Sequence, residues 1–286
     1  MKSTPGPKKV ENFKACAGFG IAGNFALHLE QAGEIEDFKN LKVADENGPK
    51  GIFPFYMPGF ATPIGVFPLS SDTIVLPEDA TLNIQAEPEV ALVCDLHYAG
   101  GKVVSVVPRL FAPCNDCSIR RPGAKKISEK KNWGPASKGI GAKMFPVGTF
   151  AEGGPMDAWH IASFLRRNGA LHRYGEDAAL VGYSYFHGKL LDWIVDQLNT
   201  QTDAGPLEPV LSYLERAGYP EKMVISIGAT RYTAYGETTF LQEGDEVIVV
   251  LYDEHCCDAD TVMQGIDAGA YGAEGMSVLS QKVVGA

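Results

Sequence analysis

At 286 residues, 45% of them hydrophobic and 21% charged, the chain can fill a substantial core and is not a disordered protein. Its net charge of −10 argues against nucleic acid and anionic membrane as partners, because both need a positive face. No apolar run approaches a bilayer span, and the polar start from Met1 to Lys9 reads as neither secretory signal nor transit helix, so six cysteines imply free thiols in a reducing cytoplasm.

The 32 glycines and 18 prolines are spread along the chain, which predicts many turns and a β-rich fold. Ala17 to Gly33 (AGFGIAGNFALHLEQAG) reads as a glycine-rich turn leading into a short helix. The stretch from Gly51 (GIFPFYMPGFATPIGVFP) holds too many prolines for regular helix. From Thr73 short β-branched runs follow: TIVLP, LNIQAEPEVALVCDL and GKVVSVVPRLF. Ile119 to Lys143 has no clear period and reads as a basic, polar loop. Between Met156 and Asn199 helix-like and strand-like pieces alternate. WIVDQL and PLEPVLSYLERA are helical candidates, the second closed by Gly218. MVISIG and DEVIVVLYD are late strands, and the Ala/Gly-rich tail after Glu254 is ambiguous.

Glu87-Pro88-Glu89 falls in a predicted strand, where side chains alternate, so both carboxylates share one face. Two like charges on an apolar strand repel and lose hydration, and a bound cation is the simplest way to make the pair favourable. Solvated surface glutamates are the plainer alternative. Pro88 lacks a ladder donor, which predicts an edge or irregular strand. Asp116, on a turn in CNDCSIRR, would complete an oxygen-only set suited to Mg²⁺ or Mn²⁺. Between Arg109 and Lys143 nine Lys and Arg face two acids, a local reversal of the overall charge. That segment is either a solvated loop or an anion pocket in which Arg120 or Lys138 pairs with a carboxylate. Cys114 and Cys117 have CxxC spacing but no second pair to complete a zinc site. His255-Cys256-Cys257 offers adjacent ligands, a poor geometry for one ion. His28, alone in its helical piece, reads as structural when taken by itself.

Taken in order, these pieces resemble the fumarylacetoacetate hydrolase family. GIAGNFALHLEQAG is similar to the family's histidine-bearing N-terminal segment, EPEVALV to its metal strand and NDCSIR to its NDxSxRD turn. Lys138 in PASKG, Asn168-Gly169, Gly228-Ala229-Thr230 and LQEGDEVIVV resemble its lysine, its hairpin, its Gly-Thr element and its closing strand. The sequence departs from the pattern at Gln31, where the hydrolases carry the dyad glutamate, and at Arg121, where they carry aspartate. Glu30 is one place off.

The resemblance implies a mainly β, α+β fold, a mixed β-roll and sandwich. It implies a lid segment over residues 1–70, a catalytic domain over 71–253 and a C-terminal extension over 254–286. It also implies a homodimer and a small oxoacid as substrate. Glu87, Glu89 and Asp116 would hold Mg²⁺ or Mn²⁺. His28, Glu30 and Lys138 would be catalytic, while Arg120, Gly228 and Thr230 would contact substrate. The reaction expected is metal-dependent hydrolysis of a C–C bond in an acylpyruvate or 1,3-dicarbonyl acid. Oxaloacetate-type decarboxylation, or enol–keto isomerisation or hydration, on the same scaffold is the alternative, kept close by Gln31. A metal-retaining metabolite-binding protein and a CxxC thiol oxidoreductase are readings from other classes.

Overall fold

A computed structural model describes residues 10–34, 38, 45–121 and 123–286. The rest of the expected lid, including the polar start to Lys9, lies outside the described residues.

The glycine-rich piece near the start is a strand, not a turn: β1 (Ala17–Ala22), buried throughout. Its alternation explains the composition. Phe19 and Ile21 enter the main core, while Gly18 and Gly20 lie beneath the rings of Phe55 and Phe53. A methyl group at Gly20 would stand 2.2 Å from Phe53, and one at Gly18 2.4 Å from Phe55. Only glycine lets both aromatics lie flat on this strand. The short helix α1 (His28–Gln31) follows, entered through Leu27 in the left-handed region at φ 68°.

The aromatic stretch is β2 (Gly51–Tyr56), whose Pro54 is tolerated because β2 is an edge strand paired only with β1. Short strands β3 (Leu69–Ser70), β4 (Thr73–Val75) and β5 (Asn83–Gln85) lead to the long hairpin of β6 (Pro88–Ala99) and β7 (Lys102–Asn115). Of the edge or irregular strand expected from Pro88, the edge position is not found: β6 lies inside its sheet between β7 and β13 (Lys222–Ser226), and its pairing with β7 shifts register between Val93 and Cys94 and between His97 and Tyr98. Proline is accommodated there because it is the first residue of the strand.

The basic loop has more order than its pattern predicted. It contains β8 (Ser118–Arg120), a 3₁₀ turn over Ile127–Lys130 and β9 (Lys138–Ile140), followed by β10 (Phe145–Pro146). The Asn168-Gly169 signal joins β11 (Trp159–Arg167) to β12 (Ala170–Ala179), with both turn residues at positive φ. The helical candidates become α2 (His187–Thr200) and α3 (Val210–Arg216), and α4 (Ala234–Thr238) precedes β14 (Glu246–Asp253). The tail forms α5 (Ala259–Asp267) and β15 (Met276–Val284).

The fold is mainly β with short helices. The larger sheet runs β2-β1-β13-β6-β7-β9-β3 with β10 beside β7, the second runs β12-β11-β14-β15-β4, and β5 pairs with β8. The core fills the space between the two large sheets and α2, where Leu92 and Ile225 meet Ile161, Val249 and Leu251, and Leu190, Ile194 and Leu198 close one end. The segment expected as a lid thus supplies β1 and β2 to the larger sheet, and the expected extension supplies β15 to the second. Among the described residues no helix is long and apolar enough to cross a membrane.

Candidate active site

Three carboxylates meet where β6 begins and β7 ends. Glu87 precedes β6 and Glu89 is its second residue, while Asp116 sits in the turn after β7 and donates its backbone N–H to the Glu87 carbonyl at 2.9 Å. Ligand atoms of all three lie within 4.8 Å of one another, and all three residues are buried. This set could hold a metal ion, and it is the only such group of acids, histidines or cysteines among the described residues. Asn115 fixes the corner: its Oδ1 accepts from the Glu87 N–H at 3.1 Å, and its Nδ2 donates to Gln281 Oε1 at 3.0 Å.

Cations surround the acids. Lys131 Nζ lies 2.6 Å from both Glu87 Oε2 and Asp116 Oδ2. Lys138 Nζ pairs with Asp116 Oδ1, and Arg120 Nη2 lies 2.7 Å from Glu87 Oε1. The latter contact is off-line, so this buried oxygen receives no hydrogen bond. Glu89 Oε2 accepts from the Gly228 N–H at 2.8 Å. Gly228 holds φ 112°, and a side chain there would press on Asn24, so glycine is required for that N–H to point at the carboxylate. The two aromatics on β1 form the floor beneath the lysines: Lys131 Nζ stands 4.9 Å from the Phe53 ring centre and Lys138 Nζ 5.3 Å from that of Phe55.

These contacts decide the charge states. Burial alone would raise the Glu87 carboxyl, but Lys131 and then Arg120 hold it well below the usual range. Glu89 moves the other way, pushed well up by burial and by the Asp116 charge. For Lys131, burial opposes the charged form, and Asp116 and Glu87 overcome it, so the ammonium is retained.

His28 closes one side of the site. It is buried, and burial lowers its pKa to about 4, so the ring is neutral near pH 7. Its Nδ1 lies 3.0 Å from the Thr230 carbonyl, an acceptor, so Nδ1 carries the proton and Nε2 is left with a lone pair. Thr230 therefore touches His28 through its backbone. His28, Glu87, Glu89, Lys131 and Ala229 line one cavity of about 20 Å³, room for roughly one water.

Glu30, expected to orient His28, is exposed, and its carboxylate forms no hydrogen bond or ion pair among the described residues. The helix turns it outward. Gln31 is tied to Tyr232 instead, with its Nε2 3.1 Å from the Tyr232 carbonyl and its Oε1 2.9 Å from the Tyr232 N–H. The acid that enters the site is Glu34, six residues after His28. It accepts from Arg120 Nη1 at 2.7 Å and from Lys130 Nζ at 2.8 Å, and although burial opposes ionisation, Arg120 keeps its pKa low. Sequence reading missed Glu34 and Lys131. The nine-cation segment was the available signal for Lys131, but counting charges does not say which of them are buried. Arg120 is spent on protein groups: Glu34, Gln85 Oε1 at 2.7 Å and the Tyr232 hydroxyl at 3.1 Å. Cys114 and Cys117 are buried free thiols, and burial pushes Cys117 up to about 12, far from a reactive thiolate.

The donor set is chemically right for a hard divalent ion, yet the place between Glu87 and Asp116 is taken by the Lys131 ammonium. As built, the residues do not fit a metal bridging those two carboxylates.

The fold is that of fumarylacetoacetate hydrolase family proteins. A yeast member of that family aligns over 97% of this chain and 96% of its own, with a TM-score of 0.55 and 14% identity. A maleylpyruvate hydrolase from Sphingobium sp. SYK-6 aligns over 94% of this chain and 71% of its own, at TM-score 0.52 and 12% identity. A 5-carboxymethyl-2-hydroxymuconate delta-isomerase from Mycobacterium smegmatis aligns over 94% and 79%, at TM-score 0.50 and 16% identity. No curated protein matches the chain in sequence. Residues 34–283 match the sequence profile of a family of unknown function, DUF5718, and the chain belongs to that family.

Proposed function

We propose that the protein is an enzyme that forms an enolate from a small oxoacid, a 2-oxoacid or 1,3-dicarbonyl acid, in the course of C–C bond hydrolysis. The observation that carries this reading is His28: a neutral imidazole, fixed by the Thr230 carbonyl, lining the same cavity as Glu87, Glu89 and Lys131. With Nδ1 donating to that carbonyl, Nε2 is the general base. In hydrolysis it takes a proton from water as the hydroxyl adds to the carbonyl carbon. The C–C bond then breaks, its electron pair forms the enolate, and the proton returns to the enolate carbon. Positive charge from Lys131 and Lys138 stands beside the oxygen that becomes negative. The unpartnered Glu87 Oε1 is an acceptor for a substrate or water hydroxyl. The Mg²⁺ or Mn²⁺ expected from sequence would require Lys131 to withdraw, and no step here depends on it.

A second reading, enol–keto isomerisation or decarboxylation of an oxaloacetate-type acid, is favoured by a specific feature. His28 is oriented by a carbonyl, not by a carboxylate, which suits proton transfer at carbon better than strong activation of water. Incubation with acylpyruvates and oxaloacetate in D₂O, followed by proton NMR, separates the cases. Cleavage products indicate hydrolysis, and exchange at the carbon beside the keto group without cleavage indicates isomerase-type chemistry. Tight binding with neither would turn the assignment to a metabolite-binding protein. His28→Ala is expected to abolish cleavage and exchange alike while leaving the thermal midpoint within a few degrees. Unchanged turnover in that variant would refute the proposal.

A further inference from the structure

We propose that Lys131 is the resident cation of the carboxylate triad, and that its ammonium excludes a divalent metal from the place between Glu87 and Asp116. The geometry is that of a bridging ion. Nζ lies 2.6 Å from one oxygen of each carboxylate, in a residue that is 3% exposed. A divalent ion bonded to both oxygens from the same side would overlap the ammonium and repel it.

Three of the four remaining oxygens also have a neighbour. Lys138 holds Asp116 Oδ1, Gly228 N–H holds Glu89 Oε2 and Arg120 lies against Glu87 Oε1. Among the described residues, four acids (Glu34, Glu87, Glu89 and Asp116) meet four cations (Arg120, Lys130, Lys131 and Lys138). A further double positive charge would find no free counter-ion among them.

The lysine is held in place from both ends. Its N–H donates to the Ser128 carbonyl at 3.1 Å, closing the 3₁₀ turn before it. The next residue, Asn132, is pinned by its Nδ2 to the carbonyls of Phe55 and Val66, at 2.8 and 2.9 Å. At the other end the Phe53 ring, admitted by Gly20, supports the ammonium. A triad that resembles a metal site thus carries its own internal cation. This inference stands whatever reaction the site performs.

The test is metal binding, not turnover. Native protein stripped with EDTA and titrated with MnCl₂ by calorimetry and electron paramagnetic resonance should show no saturable site at millimolar ion. Neither EDTA nor Mn²⁺ should move its thermal midpoint. Lys131→Met, which keeps the stem and removes the charge, should gain one micromolar Mn²⁺ site, a change of about a thousandfold. Adding Glu89→Gln to that variant should remove the site again, which locates it at the triad. Micromolar binding by the native chain overturns the proposal, as does a folded Lys131→Met that binds no better than native. Should Lys131→Met fold poorly because three acids are left with too little positive charge, refolding with and without Mn²⁺ decides. Rescue by the ion supports the proposal, and its absence counts against it.

Discussion

Glu34 is largely enclosed between Arg120 Nη1 and Lys130 Nζ, its side chain 13% exposed, whereas Glu30, four residues earlier, is exposed and its carboxylate has no partner among the described residues. Two glutamates in one short segment therefore carry opposite expectations. Glu34→Ala strips a carboxylate from a buried cluster and should cost about 3–5 kcal/mol, the usual effect of breaking a buried pair from one side. Glu30→Ala should stay within about 0.5 kcal/mol, as surface changes do. Urea unfolding of the two variants gives the comparison, and a Glu30 effect as large as that of Glu34 would mean that α1 packs the other way round. Choosing between these acids was beyond the sequence. The chain enters α1 through Leu27 at φ 68°, and that unusual turn, which no propensity announces in a leucine, sets which face of the segment points inward. Of the triad, the pair at positions 87 and 89 was legible, because alternation in an extended segment puts both on one face, whereas Asp116 joined it only through the resemblance of NDCSIR to a known turn. Lys131 was not, since a lysine in a Lys-rich stretch carries no mark of burial.

At the scale of elements, most strands and helices follow from local pattern: the β-branched runs of β6, β7 and β14, the hairpin signal at Asn168-Gly169 and the helical run in α2. The misreadings share one cause. In β1 the glycines serve the rings of β2 and not a turn, and that pairing is a tertiary fact. Gly20→Ala tests it. The new methyl would meet Phe53 at 2.2 Å and Ser226 Oγ at 2.9 Å, so the ring must move, at a cost of about 1–3 kcal/mol. Moving Phe53 also removes the support beneath Lys131, so the loss in stability should come with a weaker hold on the triad, readable as Mn²⁺ uptake that the native chain lacks. The tail offers a second test. β15 lies between β14 and β4, and its Gln281 joins Asn115 Nδ2 to the Thr73 carbonyl, each at 3.0 Å. Truncation after Gly275 should therefore abolish cooperative unfolding, followed by circular dichroism. A folded, soluble truncation would support the reading of residues 254–286 as a separable extension.

Across the whole molecule, two buried titrating groups set opposing slopes on stability. His28 has a folded pKa of about 4 against an ordinary 6.5, lowered chiefly by burial. The unfolded chain binds its proton first, so the stability that His28 confers is present above pH 6.5 and is lost as pH falls toward 4. Glu208 behaves in reverse. It is 2% exposed, its Oε2 has no hydrogen-bond partner, and burial lifts its pKa from 4.5 to about 7. The folded chain holds this proton more tightly, so the contribution of Glu208 is full below pH 4.5 and is lost as pH rises through 7. The two windows overlap, and the native stability profile should be flatter between pH 4.5 and 6.5 than either group alone would make it. Glu208→Gln removes one of the two slopes: a neutral amide replaces a buried carboxyl that must ionise as pH rises. The variant should gain on native protein by about 3 kcal/mol between about pH 4.5 and pH 8, the free energy that goes with moving this carboxyl from 4.5 to about 7. Urea unfolding at both pH values measures the difference. A Glu208→Gln effect of equal size at the two would show that Glu208 ionises normally in the folded chain, and would leave the acid-side loss from His28 unopposed.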